Sequence, residues 1–273
     1  MTSFICSLAS GSLGNALLVA SAKTCVLVDM GVSRRRVKAG LAGVGLGLQN
    51  VQAVLLTHTH SDHFSASAAA FCRIYKVPVY STDDNLAHLA YESNGFGDVV
   101  AAGLARPLDG RPLKVGDITV EAFRVPHDSA GQCLGFRLSL GGPRSRRVVS
   151  VATDLGHVPA ACLGHFVDAD AVVLESNHDP EMLRASNRPL ELIERILGPR
   201  GHLSNEDCAE ALTEIVGRSR PGKVSGVVLA HLSRDCNRPH LALAAQAHLA
   251  RSHTHPIRVS AAAQYEAGPV VGL

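Results

Sequence analysis

The segment Thr57-His58-Thr59-His60-Ser61-Asp62-His63 puts three imidazoles and a carboxylate within seven residues, directly after the apolar run Ala53–Leu56. In extended chain, residues two apart point to the same side, so His58 and His60 face one position. Asp62 and His63 follow in a turn that reaches a second position beside the first. Imidazoles with a carboxylate suit zinc, manganese or iron far better than calcium or magnesium. Fourteen histidines are many for 273 residues. Other candidate ligands or polarising groups end apolar runs: Asp29, His127, Asp154, Glu175 and His231. In a layered α/β domain, side chains at the same ends of strands converge on one rim, where loops are held rigidly.

The elements that must position these groups are legible from hydrophobic pattern and turn residues. Strands are expected at Ala16–Val19, Thr24–Asp29, Ala53–Thr57, Pro78–Tyr80, Ile118–Val125, Leu134–Leu140, Val148–Thr153, Ala171–Glu175, Val227–Ala230 and Ile257–Ser260. They are short, branched-aliphatic and bounded by Gly, Pro, Asp or Asn. Helices are expected at Ser33–Leu41, Phe64–Tyr75, Asp83–Ser93, Pro189–Leu197, Asn205–Arg218 and Pro239–Arg251, with Asn205 as a cap and Pro189 and Pro239 in first turns. The pattern describes packed sheets with outer helices. Neither a GxGxxG loop after the first strand nor a GxxxxGK[ST] loop is present, which argues against the common nucleotide-binding sheets.

Composition narrows the function classes. An apolar share of 46% supports a large core, and a net charge of +2 is too small for coating nucleic acid by bulk attraction. Without tryptophan and with few other aromatics, broad base-stacking platforms are not expected. No uncharged apolar stretch has the ~18 residues of a membrane span. The opening residues lack a basic segment, and Gly11, Gly14 and Asn15 interrupt their apolar run, so no signal peptide is expected. Seven cysteines without a Cys-x-x-Cys pair fit reduced thiols in a cytoplasmic protein.

The HTHSDH run resembles the signature of the metallo-β-lactamase superfamily, and His127, Asp154 and His231 follow in that family's order and spacing. The resemblance implies a four-layered αββα sandwich formed by one domain over 1–273, in two pseudo-equivalent halves of roughly 1–140 and 141–273. It implies two divalent ions (Zn, Mn or Fe): His58, His60 and His127 on one, Asp62, His63 and His231 on the other, Asp154 between them. Such a pair holds a shared water and lowers its pKa. Asp29 matches the family's early acidic residue and is expected to orient a ligand from behind.

Three further motifs bear on the substrate. The loop Ser7–Asn15 offers glycine-freed amides with Ser10, Ser12 and Asn15 for a phosphate. Gly201-His202-Leu203-Ser204-Asn205 sets a histidine just before a helix start, and Ser204 can join the phosphate contacts. His231-Leu232-Ser233-Arg234-Asp235-Cys236-Asn237 adds Ser233, Asn237 and Arg234. With Glu175-Ser176-Asn177-His178, these motifs resemble the YycJ/WalJ group of the superfamily, regarded as 5′-to-3′ exonucleases on double-stranded DNA. That resemblance implies a metal-dependent phosphodiesterase acting on DNA, with Asp62, Glu175 and His202 as catalytic residues and the last two cooperating in proton transfer. The alternatives are an RNA-processing or cyclic-phosphodiester hydrolase with the same metal core, or a metal-stabilised binding protein without catalysis. Only 77 positions separate Asp154 from His231, too few for the inserted domain of β-CASP nucleases, and no Gly/Pro-rich tRNA-holding arm is evident. Arg34, Arg35, Arg36 and Lys38, and Arg144, Arg146 and Arg147, form local basic clusters read as solvated faces. His253-Thr254-His255 is read as an exposed loop, and oligomer formation is left open.

Overall fold

The computed structural model describes residues 3–92, 95–143, 145–249 and 256–273. Two seven-stranded sheets carry the chain. The first comprises β1 (Phe4–Ala9), β2 (Ala16–Ala20), β3 (Cys25–Val28), β4 (Val51–Leu55), β5 (Val79–Ser81), β6 (Ala105–Pro107) and the last strand β14 (Val271–Gly272), in the order β14-β1-β2-β3-β4-β5-β6. The second comprises β7 (Leu113–Val115), β8 (Ile118–Val125), β9 (Cys133–Leu140), β10 (Arg147–Ala152), β11 (Ala171–Glu175), β12 (Gly226–Ala230) and β13 (Arg258–Ala261), in the order β13-β12-β11-β10-β9-β8-β7. Each sheet is antiparallel at one end and parallel at the other: β3 to β6 run parallel, as do β10 to β13. The sheets divide between β6 and β7 rather than near residue 140, and β14 returns to the first sheet beside β1.

Burial explains the four layers. Ile5, Val19, Val26 and Leu55 of the first sheet meet Ile118, Phe136, Val149 and Val173 of the second in a core between the sheets. The opposite face of the first sheet packs on α1 (Arg34–Gly43), α2 (Ala66–Tyr75), α3 (Asp83–Glu92) and α4 (Phe96–Ala101) through Val37, Leu41, Phe71, Leu89 and Phe96. The second sheet is covered by α5 (Ala160–Leu163), α8 (Asn205–Arg218) and α9 (Pro239–Ala245), and Cys208, Leu212 and Ile215 are its main contacts. Two smaller helices, α6 (Pro180–Arg184) and α7 (Leu190–Leu197), close over a separate cluster of Leu183, Ile193 and Ile196. Strands covered on both faces read as continuous apolar runs, which is why the inner ones were visible in the sequence. Among the described residues, no helix is long and apolar enough to cross a membrane.

Several local expectations are corrected. The cap of α8 is Ser204, which adopts extended backbone and forms a capping box with Asp207; Asn205 is already the first helical residue and its side chain is buried. Helix α9 ends at Ala245, short of Arg251, while 250–255 lie outside the described residues together with Arg144, His253 and His255. Strands β1, β6, β7 and β14 and helices α4, α5 and α6 were not expected.

Candidate metal centre

The strand-end residues do meet on one rim. Asp29 follows β3, His58 lies three residues past β4, and His127 follows β8. Asp154 lies two residues past β10, Glu175 is the last residue of β11, and His231 follows β12. Asp29, Asp154 and His231 have left-handed backbone, with φ of 61°, 59° and 54°. Non-glycine residues seldom adopt this conformation, at a cost of about 1 kcal/mol or more. Here it turns the chain sharply off the sheet. The HTHSDH loop is drawn against the end of β3 by a bridge between Met30 and Phe64, and a side chain at Gly31 would overlap the Asp62 carbonyl. Only glycine permits that approach.

Among the described residues the ligand atoms fall into four overlapping groups, of which His58-His63-Asp154 and Asp154-Glu175-His202-His231 both contain Asp154. The other two have the membership expected of a metal pair: His58, His60 and His127 form one, Asp62, His63 and His231 the other, and within each the ligand atoms lie within 4.8 Å of one another. His58 Nε2 is 3.0 Å from His60 Nδ1. Nitrogens on a tetrahedral zinc ion stand roughly 3.3 Å apart. Asp154 lies between these two groups: Oδ2 is 3.1 Å from His63 Nε2, and Oδ1 is 3.3 Å from His231 Nδ1 and 3.9 Å from His127 Nε2. His127 Nε2 is buried without a hydrogen-bond partner, an expensive state that a cation beside it relieves. The donor set therefore fits divalent metal.

Buried carboxylates behind the ligands fix the rings. Asp29 accepts hydrogen bonds from the Thr57 amide at 2.8 Å and the Thr57 hydroxyl, and its Oδ2 lies 2.8 Å from His63 Nδ1. Glu175 Oε1 lies 2.7 Å from His231 Nδ1 and 2.9 Å from His202 Nδ1, while Oε2 accepts the Leu155 and Leu203 amides, both at 3.1 Å. His127 Nδ1 is 3.1 Å from the Gly201 carbonyl.

Charge divides the cluster. Burial, followed by neighbouring imidazoles, pushes His58 and His60 below the ordinary histidine range, and burial does the same to His127. These rings keep their lone pairs for a metal. Burial also disfavours charge on His63, His202 and His231, but facing carboxylates outweigh it. Asp154 and Asp29 raise His63, Glu175 raises His202, and Asp154 with Asp62 and Glu175 takes His231 to about 10. Burial likewise opposes ionisation of Glu175, yet His202 and His231 bring it down to about 2. Burial opposes ionisation of Asp154 and Asp62 too, but His231 and His63 outweigh it, taking Asp154 well below its ordinary value and lowering Asp62.

A cavity of about 140 Å³ opens beside the cluster, with His127, His202, His231, Ser12, Asn177 and Ser233 in its wall. Of the serines and asparagines expected at phosphate, Ser12 and Ser233 reach it. Four are engaged elsewhere. Ser10 Oγ accepts the His231 amide at 2.7 Å; the Asn15 side chain accepts the Gly11 amide at 2.9 Å and reaches the Asp62 carbonyl at 3.3 Å. Ser204 caps α8, and Asn237 joins a buried network with Ser176, Asn177 and Asn205. These four hold the backbone around the ligands. Arg34 and Arg35 are exposed on α1; Arg36 bonds the Gln264 carbonyl, Arg146 the Ser139 hydroxyl, and Arg147 pairs with Asp170. Among the described residues of the two clusters, none lines the cavity. Arg188, Arg195 and Arg200 do, and sequence reasoning missed them because no motif contains them.

The family model for the beta-lactamase superfamily domain matches residues 24–231. The chain belongs to the metallo-β-lactamase superfamily. Within it, the chain is 34% identical to exodeoxyribonuclease YycJ of Bacillus anthracis over 238 residues, covering 86% of this chain and 84% of that one. It is 32% identical to exodeoxyribonuclease WalJ of Streptococcus pneumoniae serotype 2 over 237 residues, covering 86% and 83%. The crystal structure of the metallo-β-lactamase fold protein YhfI from Bacillus subtilis superposes with a TM-score of 0.66 at 15% identity, over 98% of this chain and 99% of that one, and bears out the αββα fold. This superfamily member is a metal-dependent hydrolase of the phosphodiesterase kind.

Proposed function

We propose that the chain is a dinuclear-metal exonuclease that degrades double-stranded DNA from the 5′ end. The observation that carries this reading is His202, held by Glu175 in the wall of a cavity that His127 and His231 also line. The names of the curated relatives support DNA as substrate, and the resemblance to the YycJ/WalJ group supports duplex and polarity.

His58, His60 and His127 would hold one ion and Asp62, His63 and His231 the other, with Asp154 shared. Zinc, manganese or iron there would supply Lewis acidity toward the phosphoryl group and a hydroxide nucleophile at neutral pH. The remaining work falls to the chain. His202 has Nδ1 on Glu175, whose charge outweighs burial and raises the ring above the ordinary range; this favours the protonated form, and Nε2 can deliver a proton to the leaving oxygen. Glu175 is a positioning residue: its four contacts and a value of about 2 keep it ionised behind His202 and His231. Asp62, with a partly exposed carboxylate held ionised, can accept a proton from the attacking water. Asp29 fixes the His63 ring. Ser12 and Ser233 can contact the phosphate from the cavity wall. Seven buried, unpaired cysteines support a cytoplasmic setting.

Digestion of end-labelled duplexes by manganese- or zinc-loaded protein tests the reading. Mononucleotides released progressively from 5′ ends are expected. Equal or faster cleavage of a matched RNA moves the substrate to RNA, and inertness of metal-replete protein toward DNA, RNA and simple phosphodiesters alike removes the hydrolase mechanism.

A further inference from the structure

The cavity beside the ligand cluster has a second wall that the mechanism does not use. Arg188, Arg195 on α7, and Arg200 face it together with Leu192 and Ile196. A guanidinium carries five N–H donors. Among the described residues each makes one polar side-chain contact: Arg188 with Asp235 at 3.3 Å, Arg195 with Asp128 at 3.0 Å, and Arg200 with the His127 carbonyl at 3.0 Å. Three cations against two carboxylates leave this wall positive, and it adjoins His127, His202 and His231 directly. At about 140 Å³ the space is well below the roughly 300–1,000 Å³ of pockets that enclose whole drug-sized molecules. It fits a small, highly charged group better than a base and sugar. Planar arginine forks match phosphate oxygens two at a time.

We infer that Arg188, Arg195 and Arg200 form a subsite for a non-scissile phosphate of the substrate strand, adjoining the phosphate that is cut. Its place in catalysis rests on the phosphodiesterase reading above. The subsite sets strand position: with this phosphate seated, its neighbour is directed to the ligand cluster and His202, so binding energy away from the bond raises turnover of nucleotides over simple diesters. The occupant is either a terminal phosphate or an internal diester.

Arg188→Met and Arg195→Met are the informative variants, because both side chains are partly exposed, at 28% and 55%, and neither bonds a ligand histidine. On oligonucleotides each should lower kcat/KM about tenfold or more, and that loss should exceed the loss on bis(p-nitrophenyl) phosphate, which has no second phosphate, by at least tenfold. Confinement of the effect to 5′-phosphorylated ends identifies a terminal phosphate. Equal loss on 5′-hydroxyl ends identifies an internal one; both support the subsite. Equal losses on oligonucleotide and simple diester, or none on either, overturn it. Calorimetric titration of metal-loaded protein with inorganic phosphate keeps the two readings apart. A binding event absent from the double variant supports the subsite even if wild-type protein cleaves no phosphodiester, whereas identical isotherms for wild type and double variant refute it.

Discussion

Each half of the molecule steadies its histidines with a buried carboxylate at a strand end, and the two carboxylates carry different loads. Asp29, after β3, lies behind one imidazole, His63, and spends its other contacts on Thr57. Glu175, at the end of β11, lies behind two, His231 and His202, and takes two backbone amides as well. Related sheet architecture thus holds one histidine ring in the first sheet's rim and two in the second's. The asymmetry arises because the loop before α8 brings His202 within 2.9 Å of Glu175.

Four measurements break or sharpen that comparison. The largest effect is expected for His202→Ala: a fall of about 10²–10⁴-fold in kcat on oligonucleotides, with a much smaller fall on bis(p-nitrophenyl) phosphate, whose leaving group needs no proton. Equal losses on both would remove the general-acid role. Next, Glu175→Gln should weaken metal binding by about 10–100-fold and also alter the pH profile. The Glu175 charge holds His202 above its ordinary range, and a general acid works below its own pKa. Activity therefore falls as pH rises through that value, and the variant should move this fall to lower pH. Asp29→Asn should cost a similar factor in metal affinity while leaving that limb in place; a matching shift would show that the halves are not functionally distinct. The smallest effect concerns metal loading. Because facing carboxylates raise His63 and take His231 to about 10, metal uptake near pH 7 should release protons, and apparent affinity should fall as pH is lowered. A pH indicator in weakly buffered solution reads both, and uptake without proton release would contradict the assigned charge states.

The inner strands and the ligand run were readable because their signals are local. β8 and β11 have the expected bounds for different reasons: β11 is buried along its whole length and reads as an aliphatic run, whereas β8 largely alternates buried and less buried residues, as a half-buried strand does. Strands β6, β7 and β14, of three, three and two residues, gave no pattern of their own and owe their pairing to neighbours. Asn205 looked like a cap because its type suits one, but Ser204 holds the extended backbone that capping demands. Ser10 and Asn15 looked like phosphate contacts for the same reason of type, and the fold uses them to brace His231 and Asp62.

From the sequence alone came the candidate ligands, through the HTHSDH run and the family resemblance, and most of the strands that precede them, because motif spacing and hydrophobic period are properties of neighbouring residues. Tertiary structure decided the rest. Asp154 stands between the two ligand groups, Glu175 serves two rings, and three arginines without a motif share a cavity with the histidines. Each of these relations joins residues far apart in the chain, and only the closing of one sheet on the other brings their charges within reach.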